Sequence, residues 1–262
     1  MVTIPAALDA CGAELRAAVA HAYDVFARHA APPFPLAVCL SCCVSSEIEQ
    51  QLREWSLSRI TDKHLYEYNA SAKPPEQPAQ EVGHLLPRMF DLLADDKEIH
   101  HSLELSLVRL GQCADGSWNA VEIAAIERFA KAYFESTLRG PLAHRWSGDP
   151  LTILLMFDIG GLPIDPLLQR WMNCEDPSST IQYVKATYWD FWSEKRYTNA
   201  FSADRPAFQQ GLAGWLQDPT CRRRFAARLV EPEFQALAAH QEDIGCVSFA
   251  TMVDAVFEHL TA

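Results

Sequence analysis

Four times in its second half the chain repeats one local device: Asp149-Pro150, Asp165-Pro166, Asp176-Pro177 and Asp218-Pro219 each stand directly before an apolar, helix-forming run. The pairing has a mechanical sense. The first turn of a helix leaves backbone N–H groups without partners, and an aspartate just ahead of it accepts from them. Proline at the first helical position has no N–H to leave unsatisfied and a φ already set for the helix. Four such starts divide the second half into short and medium helices joined by tight corners. Their irregular spacing argues against a regular solenoid repeat.

The rest of the chain carries the same helical period. Leu8, Leu15, Val19, Ala22 and Phe26 line one face of a first helix. Ser46 followed by Glu49 has the spacing of a capping box for a second, and Thr61 or Asp62 caps a third that carries Leu65 and Tyr68. LLPRMFDLLA predicts a helix with Pro87 near its first turn or kinking it, and KEIHHSLELSLVRL predicts another that ends at Gly111. Residues 119–139 give the clearest amphipathic pattern, with Val121, Ile126, Phe129, Tyr133 and Leu138 apolar and Gly140-Pro141 as its stop. A last helix starts near Ser248 and carries Met252, Val256 and Leu260. Gly160-Gly161 reads as a helix stop, and KPPEQPAQ, residues 73–80, as an exposed connection. Only residues 35–40 and, more weakly, 245–250 have any extended character. The expected fold is all-α, an irregular multi-helix bundle or helical array of about ten helices with little or no sheet. It forms one domain, 1–262, or two packed helical halves, 1–112 and 113–262.

Composition bounds the partners. With 49% hydrophobic and 21% charged residues over 262 positions, the chain can bury a large core without disulfides or a structural metal. A net charge of −12 argues against nucleic acid and anionic membranes as general partners. The one basic run, Arg222-Arg223-Arg224, reads as a solvated helix face. The N-terminal stretch is broken by Asp9, Glu14 and Arg16, so it does not read as a signal peptide. The longest apolar run, Leu151 to Phe157, is too short to span a bilayer. The expectation is a cytoplasmic protein whose eight cysteines stay reduced.

Chemistry concentrates in FPLAVCLSCCVSSEIEQQL, residues 34–52, where Cys39, Cys42 and Cys43 form a C-x-x-C-C cluster. Three readings stand side by side. Free cysteine packs as a small hydrophobe, and Phe34, Leu36, Val38 and Leu40 surround these three. A C-x-x-C also supplies two of the four ligands that zinc takes, with Cys43 a third and His64 and His84 the nearest downstream imidazoles. A redox pair is the third reading. A vicinal Cys42-Cys43 disulfide is strained and set aside.

Together with HLYEYNASAK and GHLLPRMFDLLA, the cluster resembles a group of uncharacterised bacterial proteins. These carry Cys-Pro-x-Cys-Cys, a Tyr-x-x-x-Ala-Lys-like stretch and a His-Phe-Leu-Pro-Arg segment. The matching positions are Cys39, Cys42, Cys43, Tyr68, Lys73, His84, Pro87 and Arg88, within residues 36 to 94. Leu40 stands where the group has proline and Leu85 where it has phenylalanine. The resemblance implies no activity; it implies that His84 and the cysteines belong to one site, with zinc as the ion to test.

Two further patterns carry alternatives. Glu81/His84 and Glu98/His101 both match E-x-x-H, which di-iron bundles pair with lone glutamates such as Glu14 and Glu127. The same residues also read as solvated helix faces. Tyr183, Tyr188, Trp189, Phe191, Trp192, Tyr197 and Phe201 crowd one segment. There a central buried helix competes with an aromatic binding groove built on Tyr188, Trp189 and Trp192. Nucleotide-binding loops, a nucleophile elbow and H-E-x-x-H are missing. The leading expectation is therefore an acidic helical interaction protein without catalysis, whose charge favours a basic partner; one concrete form is an immunity-type protein that caps a basic bacterial toxin. The competing class is a metal- or thiol-dependent enzyme using Cys39, Cys42, Cys43 and His84.

Overall fold

The computed structural model describes residues 6–32, 35–140, 149–193 and 196–262. Thirteen α-helices are present among the described residues: α1 (Ala6–Phe26), α2 (Ser46–Glu54), α3 (Asp62–Ala70), α4 (Ala79–Ala94), α5 (Val108–Gly111), α6 (Ala120–Arg139), α7 (Pro150–Ile159), α8 (Asp165–Asn173), α9 (Pro177–Thr187), α10 (Pro206–Gln217), α11 (Pro219–Leu229), α12 (Pro232–Ala238) and α13 (Phe249–Thr261). No strand occurs among the described residues. The isolated bridges join Gln77 to Cys113 and Ile244 to Val247, and residues 35–40 take part in neither. The fold is the all-α array that the periodicity predicts. No helix among the described residues is long and apolar enough to cross a membrane.

The aspartates act largely as the sequence implies. Asp149 accepts from the N–H groups of Leu151 and Thr152, Asp176 from Ser178, and Asp218 from Thr220 and Cys221. Asp165 is the exception: Ile164 occupies the cap position and Asp165 lies one residue inside α8. Ser45 rather than Ser46 caps α2, through Ile48 N–H, and the Glu49 carboxylate turns inward to accept the Leu36 N–H instead of closing a box.

One cluster of buried side chains runs through the whole array. α1 packs along both α4 and α6, and α6 in turn contacts α7, α8 and α9. The central helix is α7, where Leu151, Ile153, Leu154, Leu155, Met156 and Phe157 are all fully buried. A helix apolar on every side has to be surrounded by others. Its C-terminal end presses on the end of α5: a Cβ at Gly111 would lie 2.0 Å from the Ile159 carbonyl oxygen, so only glycine permits that approach.

Several local expectations are corrected. Residues 97–110 do not form one helix; they make bends, a 3₁₀ turn at Leu103–Leu105 and the short α5. The buried Asn69 side chain donates to the carbonyls of Ile99 and Ser106 and holds this irregular segment against α3. Val121 is 61% exposed although Ile126, Phe129, Tyr133 and Leu138 are buried, because it lies in the first turn of α6 beyond the packed face. Arg222 and Arg224 are not simply solvated. Arg222 donates to the His259 and Leu260 carbonyls at the end of α13, and Arg224 to Asn173 at the end of α8. Cations are favoured at those termini. Leu8, predicted to lie on the apolar face of α1 with Leu15, Val19, Ala22 and Phe26, has a side chain outside the described residues.

Candidate thiol site

The three cysteines sit on a turn between Leu36 and Val44, both of which are buried. Cys43 and Val44 N–H groups both donate to the Cys39 carbonyl, closing a single helix-like turn. That closure throws the side chains between the two anchors outward. Cys42 and Cys43 are exposed and Cys39 partly so. The reading of these cysteines as core residues is thereby overturned: Leu36 and Val44 are buried, but Leu40 is exposed along with the Cys42 and Cys43 thiols.

The sulfurs converge. Cys39 Sγ lies 3.4 Å from Cys42 Sγ, Cys42 Sγ lies 3.5 Å from Cys43 Sγ, and all three fall within 4.8 Å of one another. Two thiolates on a tetrahedral zinc with bonds of ~2.3 Å are about 3.8 Å apart. The Cys39–Cys42 and Cys42–Cys43 separations come within about 0.4 Å of that spacing, and the third pair lies no farther apart than 4.8 Å. Its chemistry, three soft sulfurs, also suits zinc and other thiophilic ions. Ser41 Oγ lies 3.1 Å from Cys39 Sγ. Hydrogen bonds from Ser41 and then Cys42 hold the Cys39 thiol down at about 6, while bonding with Cys39 and Cys43 pushes Cys42 up to about 11.

Beneath this turn lies a buried polar platform that the sequence reading did not assemble. Glu81, on α4, accepts the Ala37 N–H at 3.0 Å and the Tyr68 hydroxyl at 2.8 Å. Arg109, on α5, donates to the Ala37 carbonyl at 2.9 Å, to Gln77 Oε1 and to the Tyr68 carbonyl. Its guanidinium also lies 3.8 Å over the centre of the Tyr68 ring. Glu49, on α2, accepts the Leu36 N–H at 3.2 Å and the Arg53 Nε at 2.7 Å. Ser71, just past α3, accepts the Cys39 N–H at 2.8 Å. Glu49, Glu81 and Arg109 are each no more than 3% exposed. Burying such charges is costly unless they are paired and hydrogen-bonded, and here their bonds go to the backbone that carries the thiols. Arg109 left one trace in the sequence, an arginine inside the apolar run LVRLG. Glu81 stands out in the sequence only through its E-x-x-H spacing from His84.

His84 is not part of the thiol group. Its Nδ1–H donates to the His29 carbonyl at 3.1 Å, its Nε2 is buried without a partner, and burial lowers its pKa. It helps join α4 to the end of α1. There His29 Nε2 and Arg28 Nε meet Glu122 Oε1 at 2.6 and 2.7 Å. His64, the other nearby imidazole downstream of the cysteines, is engaged with Thr61 and Gln51. The E-x-x-H set is likewise not assembled: Glu98 and His101 are exposed outside any helix, and Glu14 and Glu127 pair with Arg128 and Lys131. Tyr188, Trp189 and Trp192 lie on a π-helical turn that continues α9. They are dispersed: Trp189 is 45% exposed, Trp192 stacks on the His259 ring at 5.0 Å, and Tyr188 meets Trp189 edge-on. The fully buried helix is α7 and not this one. No protein-family model, curated protein or solved structure matches the chain.

Proposed function

We propose that the protein binds a thiophilic metal ion, with zinc as the reference, on Cys39, Cys42 and Cys43, and hands it on to a partner. The observation that carries this reading is the convergence of three solvent-facing sulfurs on a turn whose backbone is pinned from below. A structural zinc site is closed by four protein ligands and supplies folding energy. This fold has its own continuous core, and its thiols are at the surface. Three sulfurs leave a coordination position for a ligand from outside. The net charge of −12 favours a basic protein as the recipient or donor. Glu81 and Arg109 serve as positioning residues, since outer partners of a ligand set orient it and tune its affinity.

Metal analysis of the untagged full-length protein tests the proposal. Reconstituted with zinc and desalted, it should hold close to one ion per chain, and a Cys39/Cys42/Cys43→Ser variant should hold none while melting normally. A wild-type protein that retains no more ion than the triple variant would overturn it.

A further inference from the structure

We propose that Cys39 and Cys42 also act as a dithiol that reduces external disulfides, an activity that stands whether or not the turn binds an ion. The two sulfurs are 3.4 Å apart within one turn, and a disulfide of ~2.05 Å requires them to close by about 1.4 Å. Their roles differ by position. Cys39 Sγ has both the Ser41 hydroxyl and the Cys42 thiol within hydrogen-bonding reach, and donors aimed at a sulfur stabilise its thiolate. Cys42 stands exposed beside it.

The step balances without any further co-reactant. The Cys39 thiolate attacks one sulfur of a substrate disulfide, forming a mixed disulfide and expelling the other half as a thiolate. Cys42 gives its proton to solvent or to that leaving thiolate and attacks Cys39 Sγ, expelling the second half. The substrate gains two electrons, and the protein retains one Cys39–Cys42 bond. Cys43 takes no part, because its sulfur faces Cys42 rather than Cys39 and a vicinal bond is strained. Metal binding draws on three thiols and exchange on two, so the same variants separate the two properties.

The probe is glutathione disulfide added to the reduced, metal-stripped full-length protein, followed by alkylation and mass spectrometry of the tryptic peptide 29–53, which holds all three cysteines. Wild type should lose two hydrogens and keep alkylation only at Cys43. Cys42→Ser should stop at one glutathione on Cys39. Cys43→Ser should still close the internal bond while losing the ion. Wild type that stays fully alkylatable, glutathione found on Cys43 in the Cys42→Ser protein, or a bond that needs Cys43 would each overturn the proposal. A failure to bind zinc, measured on the same samples, bears on the metal reading alone.

Discussion

The packing around Trp171 and the packing under residues 36–44 are equally shielded from water, yet they are built from opposite materials. Around Trp171, rings meet rings: Tyr183 stacks on Phe225 at 3.7 Å, Trp215 on Trp171 at 5.4 Å, and Phe134 meets Trp171 edge-on. The indole N–H of Trp171 has a partner in the Ser179 carbonyl, while Tyr183 Oη and Trp215 Nε1 are buried without one. Under the thiol turn the shielded groups are Glu49, Glu81, Arg109 and Tyr68, and nearly every bond they make is directional. Dispersion and hydrophobic burial depend on how much surface is removed from water and only weakly on angle. Charge-assisted hydrogen bonds hold a donor and an acceptor in fixed geometry. The aromatic region thus contributes stability, whereas the polar region specifies the shape of one surface turn.

The largest effect should come from the aromatic side. Trp171→Ala should cost about 3–5 kcal/mol in denaturant unfolding and leave zinc stoichiometry of the folded fraction unchanged. Arg109→Met, which leaves Gln77 Oε1 and the Ala37 and Tyr68 carbonyls without their donor and removes the positive charge beside buried Glu81, should cost about 3 kcal/mol and also lower zinc affinity. A variant that lost stability with no change in affinity would remove the distinction between the two regions. Acid should separate them as well. Burial, then His101, Lys73 and Arg109, drive the His100 pKa down to about 4. Its neutral form is the folded one, so the stability it confers is complete above the unfolded value near 6.5 and is lost as pH falls towards 4. Chemical denaturation at stepped pH should show a loss of about 2–3 kcal/mol between pH 7 and 4 that is missing in His100→Gln. Glu81→Gln keeps shape and removes charge; about 1–2 kcal/mol of stability and about tenfold in zinc affinity by competition titration are expected. Smallest of all, Cys43→Ser should change stability by less than about 0.5 kcal/mol, because an exposed thiol contributes little packing.

What the sequence disclosed follows the range of the forces involved. Asp-Pro starts and amphipathic periods are local, and they placed most helices, including α13 with its Ser248 cap. The break at 97–110 was hidden because a side chain that holds it, Asn69, lies about thirty residues upstream. The orientation of the thiols was hidden for a related reason. Leu36 and Val44 are anchored by the core while the turn between them is shaped by carboxylates and an arginine from distant helices, a juxtaposition that no spacing rule encodes. The three cysteines could therefore be recognised as a group, but the residues that hold their turn could not.

The turn takes its bonds from α2, from the end of α3, from α4 and from α5 at once. All of those bonds are in place together only when the four segments have docked. The arrangement of the thiols therefore depends on the joint docking of all four segments, not on any one of them. A nascent or partly opened chain carries the same cysteines without their arrangement, so a thiol site in working geometry is itself a sign that the fold has been completed.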